Sequence, residues 1–316
     1  MKVLANDGVS QSGIDVLEAA GYTVITTTVA QEQLVNYIND NEIVVLLVRS
    51  ATKVRKDIID NCPTLKIIGR GGVGMDNIDV DYARSKGLHV INTPAASSQS
   101  VAELVFGHFY SIARFIHNSN RDMPLDGDTK FKSLKKAYAK GIELKGKTLG
   151  VLGFGRIGQA TAKVALGAGM HVVAFDPFLE KADLELEFFD GQKVNFEIKT
   201  SSKEDVLKQS DFLTLHVPAQ KEYVIDDKEF SQMKDGVILA NVARGGVVNE
   251  VALVKAIESG KVIGAALDVF EKEPTPEIQL LMNPALSLTP HTGGATVEAQ
   301  GRIGKELADQ IITLLG

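Results

Sequence analysis

The chain has 316 residues, of which 44% are hydrophobic and 23% charged, with a formal net charge of −6. Such a composition belongs to a globular protein, and the length exceeds what one hydrophobic core usually serves, so two domains are expected. The acidic balance argues against nucleic acid as a partner, since a phosphate backbone selects a basic surface, and a small anionic substrate would need a local cationic pocket. The single cysteine, Cys62, cannot form an intramolecular disulfide and reads as a structural thiol in a reducing compartment, so a cytoplasmic location is expected. No membrane association is expected: the longest aliphatic run, Ile43–Val48, is only strand length, and the apolar start of the chain stops at Asn6, unlike a signal peptide.

In chain order, β-rich runs at Lys2–Ala5, Tyr22–Thr26, Ile43–Val48, Leu65–Ile68 and His89–Ile91 alternate with helical patterns. This is the β-α-β rhythm of a parallel sheet. Ser97 to Ser100 open a long apolar helix that is expected to reach about Asn118 and to bridge two domains. Asn120–Lys147 is polar, rich in lysine and poor in periodicity, as for a segment covering a surface or a partner subunit. Further strands follow at Thr148–Leu152, His171–Phe175, Phe212–His216, Val237–Ala240, Val262–Leu267 and Leu286–Leu288, and Thr296–Leu315 is helical again. The fold class is therefore α/β, with two doubly wound parallel sheets, one on each side of about residue 100.

The strand Thr148–Leu152 runs into Gly153, Gly155 and Gly158, and Asp176 closes the next strand eighteen residues past Gly158. The first glycine permits a tight turn, the second lets the backbone approach a pyrophosphate, and the third lets helix and strand pack closely. N–H groups at the helix start hold the phosphates, and Asp176 accepts hydrogen bonds from the adenosine ribose. Gly69, Gly71 and Gly74 repeat the spacing after another apolar strand, but Asn92–Ser97 supplies no acid where the fingerprint requires one. That first copy reads as a glycine-rich corner. Asp176 would repel a 2′-phosphate, so NAD is favoured over NADP, with Lys181 the one nearby cation that argues otherwise.

Three later segments each follow a predicted strand: Asn241–Val248 with Arg244, Leu267–Pro274 with Asp268 and Glu273, and Thr289–Thr296 with His291. Open parallel sheets bind ligands at the carboxyl ends of their strands. Hydride transfer from an alcohol needs a base for the hydroxyl proton, a cation for carboxylate and carbonyl oxygen, and a carboxylate to tune the base. His291, Arg244 and Glu273 are the catalytic candidates for these roles in turn, with Glu273 expected to raise the imidazole pKa and fix its tautomer. His216 leads into Val217 and Pro218 at a strand end and is expected to line a cofactor cleft through its backbone. His89, His108, His117 and His171 lack metal-ligand spacing and read as packing or surface residues, and no metal is expected.

These motifs, in this order, resemble the D-isomer-specific 2-hydroxyacid dehydrogenase family along essentially the whole chain: the Gly153–Gly158 loop, Ala243–Gly246, Asp268–Pro274 and Pro290–Gly294. The resemblance implies a Rossmann-type cofactor domain, residues 97–288, inserted into a flavodoxin-like substrate domain made of 1–96 and 289–316. It implies that NAD is held by Val73, Gly153, Gly155, Arg156, Ile157, Gly158, Asp176, Val217, Pro218, Val242, Ala243, Asp268, Gly293 and Gly294. Leu47–Val54, Gly69–Asp79 and Asn92–Glu103 are similar to the branch of the family acting on 3-phospho-D-glycerate, which implies that Arg49, Ser50, Gly72, Val73 and Gly74 bind the acid beside Arg244 and His291. Arg49 at the end of a buried strand suits a phosphate, the alternative being a structural carboxylate partner.

The implied reaction is NAD-dependent oxidation of 3-phospho-D-glycerate to 3-phosphohydroxypyruvate, the first step of L-serine biosynthesis, by a homodimer or larger homo-oligomer. Other readings stay open: a hydroxypyruvate or glyoxylate reductase sharing the catalytic set, or a non-enzymatic NAD-sensing scaffold. Some relatives carry a C-terminal regulatory domain for serine, and with the chain stopping at Gly316 such feedback is expected to be absent. The lysine-rich run 130–140 lacks the tryptophan of many relatives and is either a solvated face or a contributor to a neighbouring subunit's phosphate site.

Overall fold

A computed structural model describes the whole chain, Met1–Gly316. It contains two compact units, Met1–Ser100 with Gly294–Gly316, and Val101–Gly293. In the first, β1 (Lys2–Ala5), β2 (Thr23–Ile25), β3 (Ile43–Val48), β4 (Ile67–Arg70) and β5 (His89–Asn92) form one parallel sheet in the order β2-β1-β3-β4-β5. This is the flavodoxin-like order.

Neighbouring side chains on a strand face opposite sides, and here both sides are buried. Leu4, Leu46, Val48 and Ile68 pack with residues of α2 (Leu34–Asp40) and α3 (Lys56–Asn61), which follow α1 (Gln11–Ala19) in the chain. Val3, Val45, Leu47 and Ile67 pack on the other side with Leu17 of α1 and with Ile303, Leu307 and Ile311 of the C-terminal helix. That two-sided burial explains the unbroken aliphatic run Ile43–Val48. Each such buried side chain contributes about 1.5–3 kcal/mol relative to exposure. Cys62 is part of this core, and burial, with Asp57 adding, pushes its thiol up to about 11. An inert structural thiol results.

The glycine corner Gly69–Gly74 begins inside β4 and is followed by loop, with α4 (Val80–Ser85) starting only at Val80. Next comes α5 (Ser98–Ala113), which ends earlier than the apolar pattern suggested. Phe115 adopts a left-handed conformation, φ 54, and breaks the helix before α6 (Ile116–Asp126). The lysine-rich segment is helical too, as α7 (Phe131–Ala137), and neither α6 nor α7 buries a residue.

In the second unit, β6 (Thr148–Leu152), α8 (Arg156–Gly167) and β7 (His171–Phe175) form the first β-α-β unit. An antiparallel hairpin, β8 (Lys181–Glu187) with β9 (Lys193–Lys199), follows, two strands that are not among those expected from the sequence. Past it, Thr200 makes a single parallel bridge with Ala174 of β7. The chain continues through α9 (Lys203–Gln209), β10 (Phe212–Leu215), α10 (Asp227–Gln232), β11 (Val237–Asn241), α11 (Glu250–Glu258), β12 (Val262–Leu267), α12 (Ile278–Leu281) and β13 (Leu286–Leu288). The six-stranded sheet is parallel throughout, in the order β13-β12-β11-β10-β6-β7. Counting the Thr200 bridge as a vestigial strand beside β7 restores the doubly wound Rossmann order.

Apolar clusters lie on both faces of this sheet, Leu213, Leu215 and Leu239 on one and Leu149, Phe212 and Ile238 on the other. The chain returns to the first unit at Gly294 and ends in α13 (Val297–Leu315), capped by Thr296, whose hydroxyl accepts from the Ala299 N–H at 3.1 Å. No helix is long and apolar enough to cross a membrane.

Candidate active site

Within the second unit, β6 turns through Gly153, φ 89, into α8, which has Gly155 as its N-cap. A Cβ on Gly153 would lie 2.7 Å from the His216 carbonyl oxygen, and one on Gly158 would lie 2.2 Å from the Gly153 carbonyl oxygen. A Cβ on Gly155 would meet nothing within 4 Å. The outer two glycines are thus demanded by packing, and the middle one borders open space that the backbone can offer to a pyrophosphate. No side chain caps α8, which leaves the N–H groups of Arg156, Ile157 and Gly158 to an anion.

Asp176 stands beside this turn. Its Oδ2 accepts from the Phe154 N–H at 2.8 Å and its Oδ1 from the Phe178 N–H at 2.9 Å, so the carboxylate is fixed next to the glycine loop. Lys181 is paired with Glu197 across the hairpin at 2.6 Å, which holds the lysine pKa above its usual value. A Val217 methyl carbon is 3.0 Å from the position of a Gly153 Cβ, and Pro218 follows on the surface. The His216 side chain points inward, its Nε2 at 3.2 Å from Thr161 Oγ1 and 3.1 Å from Thr214 Oγ1, and burial pushes its pKa down to about 3.

Arg244 sits in the turn after β11, following Val242 and Ala243, which are buried. Asn241 braces this turn, accepting from the Ala243 N–H at 3.1 Å and donating to the Arg244 carbonyl at 3.0 Å. The Arg244 guanidinium donates to the Ala243 carbonyl at 2.6 Å. Gly245 lies so close to the next turn that a Cβ would be 1.9 Å from the Phe270 carbonyl oxygen, so the Arg244 turn and the Asp268–Glu273 turn are neighbours.

Glu273 Oε1 accepts from the Phe270 N–H at 3.1 Å, and its Oε2 is 2.9 Å from His291 Nδ1. A carboxylate only accepts, so Nδ1 carries the proton of this bond and Nε2 is left for proton exchange with a ligand. His291 has a left-handed backbone, φ 56. Asp268, 1% exposed, holds the turn around it: Oδ1 accepts from Thr289 Oγ1 at 2.6 Å and the Thr292 N–H at 2.8 Å, and Oδ2 from the Gly293 N–H at 2.8 Å. Gly294, just across the junction in the first unit, accepts from the Gln300 side chain at 3.0 Å.

The remaining candidates belong to the first unit. Arg49 and Ser50 follow β3, and the loop they open is framed by Asp7, which accepts from the N–H groups of Arg49 at 2.6 Å and Thr52 at 3.1 Å. Asn77 closes it from the other side, donating to the carbonyls of Arg49 at 2.8 Å and Thr52 at 2.6 Å. The Arg49 guanidinium takes part in none of the ion pairs, whereas Arg55 pairs with Asp79 and Lys86 with Asp60 in the same unit. Gly72, φ 146, accepts from the Thr93 N–H at 3.1 Å, and the Val73 carbonyl accepts from Asn92 at 2.7 Å.

From the sequence, His108 is expected to be a packing or surface residue. It is buried, and both ring nitrogens bond hydroxyls, Nδ1 to Ser287 at 2.8 Å and Nε2 to Thr289 at 3.1 Å. The signal for it was a polar ring in the apolar stripe of α5 formed by Val101, Val105, Phe109 and Ile112. His117 bonds Ser111 and the Pro284 carbonyl, while His89 and His171 are exposed.

Residues 106–293 match the family described as D-isomer specific 2-hydroxyacid dehydrogenase, NAD binding domain. Among curated proteins, the chain is 46% identical over 280 residues to a hydroxypyruvate reductase of Thermotoga maritima, covering 87% of this chain and 86% of that one. It is 40% identical to a D-3-phosphoglycerate dehydrogenase of Methanocaldococcus jannaschii over 100% of this chain, which spans 57% of the relative's length. Among solved structures, the TT0316 protein from Thermus thermophilus superposes with a TM-score of 0.83 at 29% identity, covering 100% of this chain and 97% of that one. The chain belongs to the D-isomer specific 2-hydroxyacid dehydrogenase family, whose members pair an NAD-binding Rossmann domain with oxidation or reduction at the C2 carbon of a small hydroxyacid.

Proposed function

We propose that the chain oxidises 3-phospho-D-glycerate to 3-phosphohydroxypyruvate, and that Arg49 receives the phosphate. The observation that carries this reading is the Arg49 guanidinium, which ends a buried strand, lies outside every ion pair and sits on a loop framed by Asp7 and Asn77. A planar, permanently charged fork suits a phosphate dianion. Ser50, Gly72, Val73 and Gly74 supply further contacts to the acid.

NAD held there would supply the acceptor for the hydride that leaves C2. Gly153, Gly155, Arg156, Ile157 and Gly158 hold its pyrophosphate, Asp176 its adenosine ribose, and Val73, Val217, Pro218, Val242, Ala243, Asp268, Gly293 and Gly294 flank the rest. His291 takes the C2 hydroxyl proton on Nε2, while Glu273 on Nδ1–H fixes the ring and stabilises the imidazolium that forms. Arg244 binds the carboxylate and the oxygen that becomes a carbonyl. Homo-oligomerisation belongs to the same reading, supported by the exposed Ile116, Leu125 and Phe131 on helices that bury nothing, and sedimentation of the purified chain tests it.

NADH-linked turnover of 3-phosphohydroxypyruvate against hydroxypyruvate and glyoxylate, at matched concentrations, tests the substrate. The expected outcome is a preference for the phosphorylated acid that Arg49→Gln abolishes. A second reading, hydroxypyruvate reductase, is favoured by the higher identity to the Thermotoga maritima enzyme. It predicts preference for the unphosphorylated acid and little effect of Arg49→Gln.

A further inference from the structure

His108 lies on the buried stripe of α5, where a polar ring is tolerated only if its nitrogens are partnered. The proton inventory of its partners sets a direction. Asp268 as a carboxylate offers no proton, so the one hydroxyl proton of Thr289 goes to Asp268 Oδ1 at 2.6 Å. Thr289 Oγ1 must then accept, which makes His108 Nε2, at 3.1 Å, the donor. His108 Nδ1 is left to accept from the Ser287 hydroxyl at 2.8 Å. Burial lowers the pKa of this ring, reinforced by His117 and opposed by Asp268, in keeping with a neutral donor–acceptor imidazole.

The far end of this chain of bonds is the turn that carries His291. Its left-handed backbone, φ 56, is costly for a residue with a Cβ and persists only where neighbours hold it. Three bonds do so: the His291 N–H to the Thr289 carbonyl at 3.1 Å, and Asp268 to the N–H groups of Thr292 and Gly293, each at 2.8 Å.

We propose that His108 is a positioning residue for His291: by donating Nε2–H to Thr289 it commits the Thr289 hydroxyl to Asp268, and so keeps the 289–293 turn where His291 meets Glu273. The inference rests on the reading of His291 as the residue that exchanges the substrate proton.

The test compares His108→Leu, His108→Gln and Thr289→Val in the full chain, with His291→Ala as reference. His108→Leu and Thr289→Val are each expected to lower kcat about tenfold, with the KM of the acid and the NADH affinity changed less than about twofold. His108→Gln puts an amide donor near the Nε2 position and is expected to recover kcat to within about threefold of the parent. Since both residues act through one chain of bonds, the Leu/Val double variant should be no slower than either single one. Imidazole 1H–15N correlation gives a readout apart from turnover: His291 holds the Nδ1–H tautomer in the parent and the Gln variant, and mixed tautomers in the Leu variant.

Parent-like kcat in His108→Leu, or a loss that appears in KM and is not recovered by Gln, overturns the proposal. If His108→Leu does not fold, a parent-like kcat in Thr289→Val overturns it instead. Parent-like turnover in His291→Ala sinks the reading of the active site itself. An inactive His291→Ala beside normal His108→Leu and Thr289→Val variants sinks only the positioning role.

Discussion

The chain writes the same glycine spacing twice, at Gly69–Gly74 and at Gly153–Gly158, each time after an apolar run, and the two copies fold differently. In the later copy α8 starts inside the pattern, at Arg156, and Asp176 closes over the loop through the Phe154 N–H. In the earlier copy β4 continues to Arg70, Gly72 takes φ 146, and the next helix starts only at Val80. Shared glycines therefore specify where a backbone must bend or be approached closely. What is bound depends on whether a helix N-terminus and a carboxylate stand behind the bend.

The comparison can be broken by variants that strike one region alone. The largest effect is expected in the second unit's chemistry: His291→Ala should lower kcat about a thousandfold or more while NADH fluorescence titration still reports parent-like binding. Gly155→Val fills the open space before α8, and NADH affinity should fall about a hundredfold with the melting temperature nearly unchanged. Unaltered NADH binding in that variant would remove the loop from the cofactor site. In the other corner, Gly72→Ala forces a Cβ into a conformation reserved for glycine. The KM of the acid should rise about tenfold there, with NADH binding as in the parent, and a reversed pattern would undo the assignment of the two corners.

The smallest effect concerns stability. His216, whose carbonyl backs the Gly153 turn, is held neutral by burial with its pKa down to about 3. Its folded pKa lies below the unfolded value, so the unfolded chain binds the extra proton between about pH 6.5 and 3. Stability is full above that window and falls as pH drops through it. Denaturant melts of the parent and His216→Gln at pH 7.5 and 5.5 check this, and the variant should lose less on acidification.

Much of this protein is legible in its residues because the physics is local. Buried parallel strands announce themselves as unbroken aliphatic runs such as Ile43–Val48 and Val237–Ala240. Arg244, Glu273 and His291 each follow a strand, and the ends of parallel strands are where ligands go. The hairpin β8–β9 does carry a sequence signal: Ala182, Leu184 and Leu186 alternate with charged residues, and Leu184 is 1% exposed. The early end of α5 was not legible, because a left-handed Phe115 breaks a pattern that apolar spacing would continue.

The two doubly wound sheets and the family follow from the sequence alone, as do the candidate cofactor loop and the candidate catalytic residue types, since these depend on periodicity and on motifs read along the chain. The proton order linking His108, Thr289 and Asp268, the bond between Glu273 and His291, and the pairing of Lys181 with Glu197 come from the tertiary structure. These are distances between residues far apart in the chain. Hydrogen bonds and ion pairs act over about 3–4 Å, a scale that spacing along a sequence does not encode.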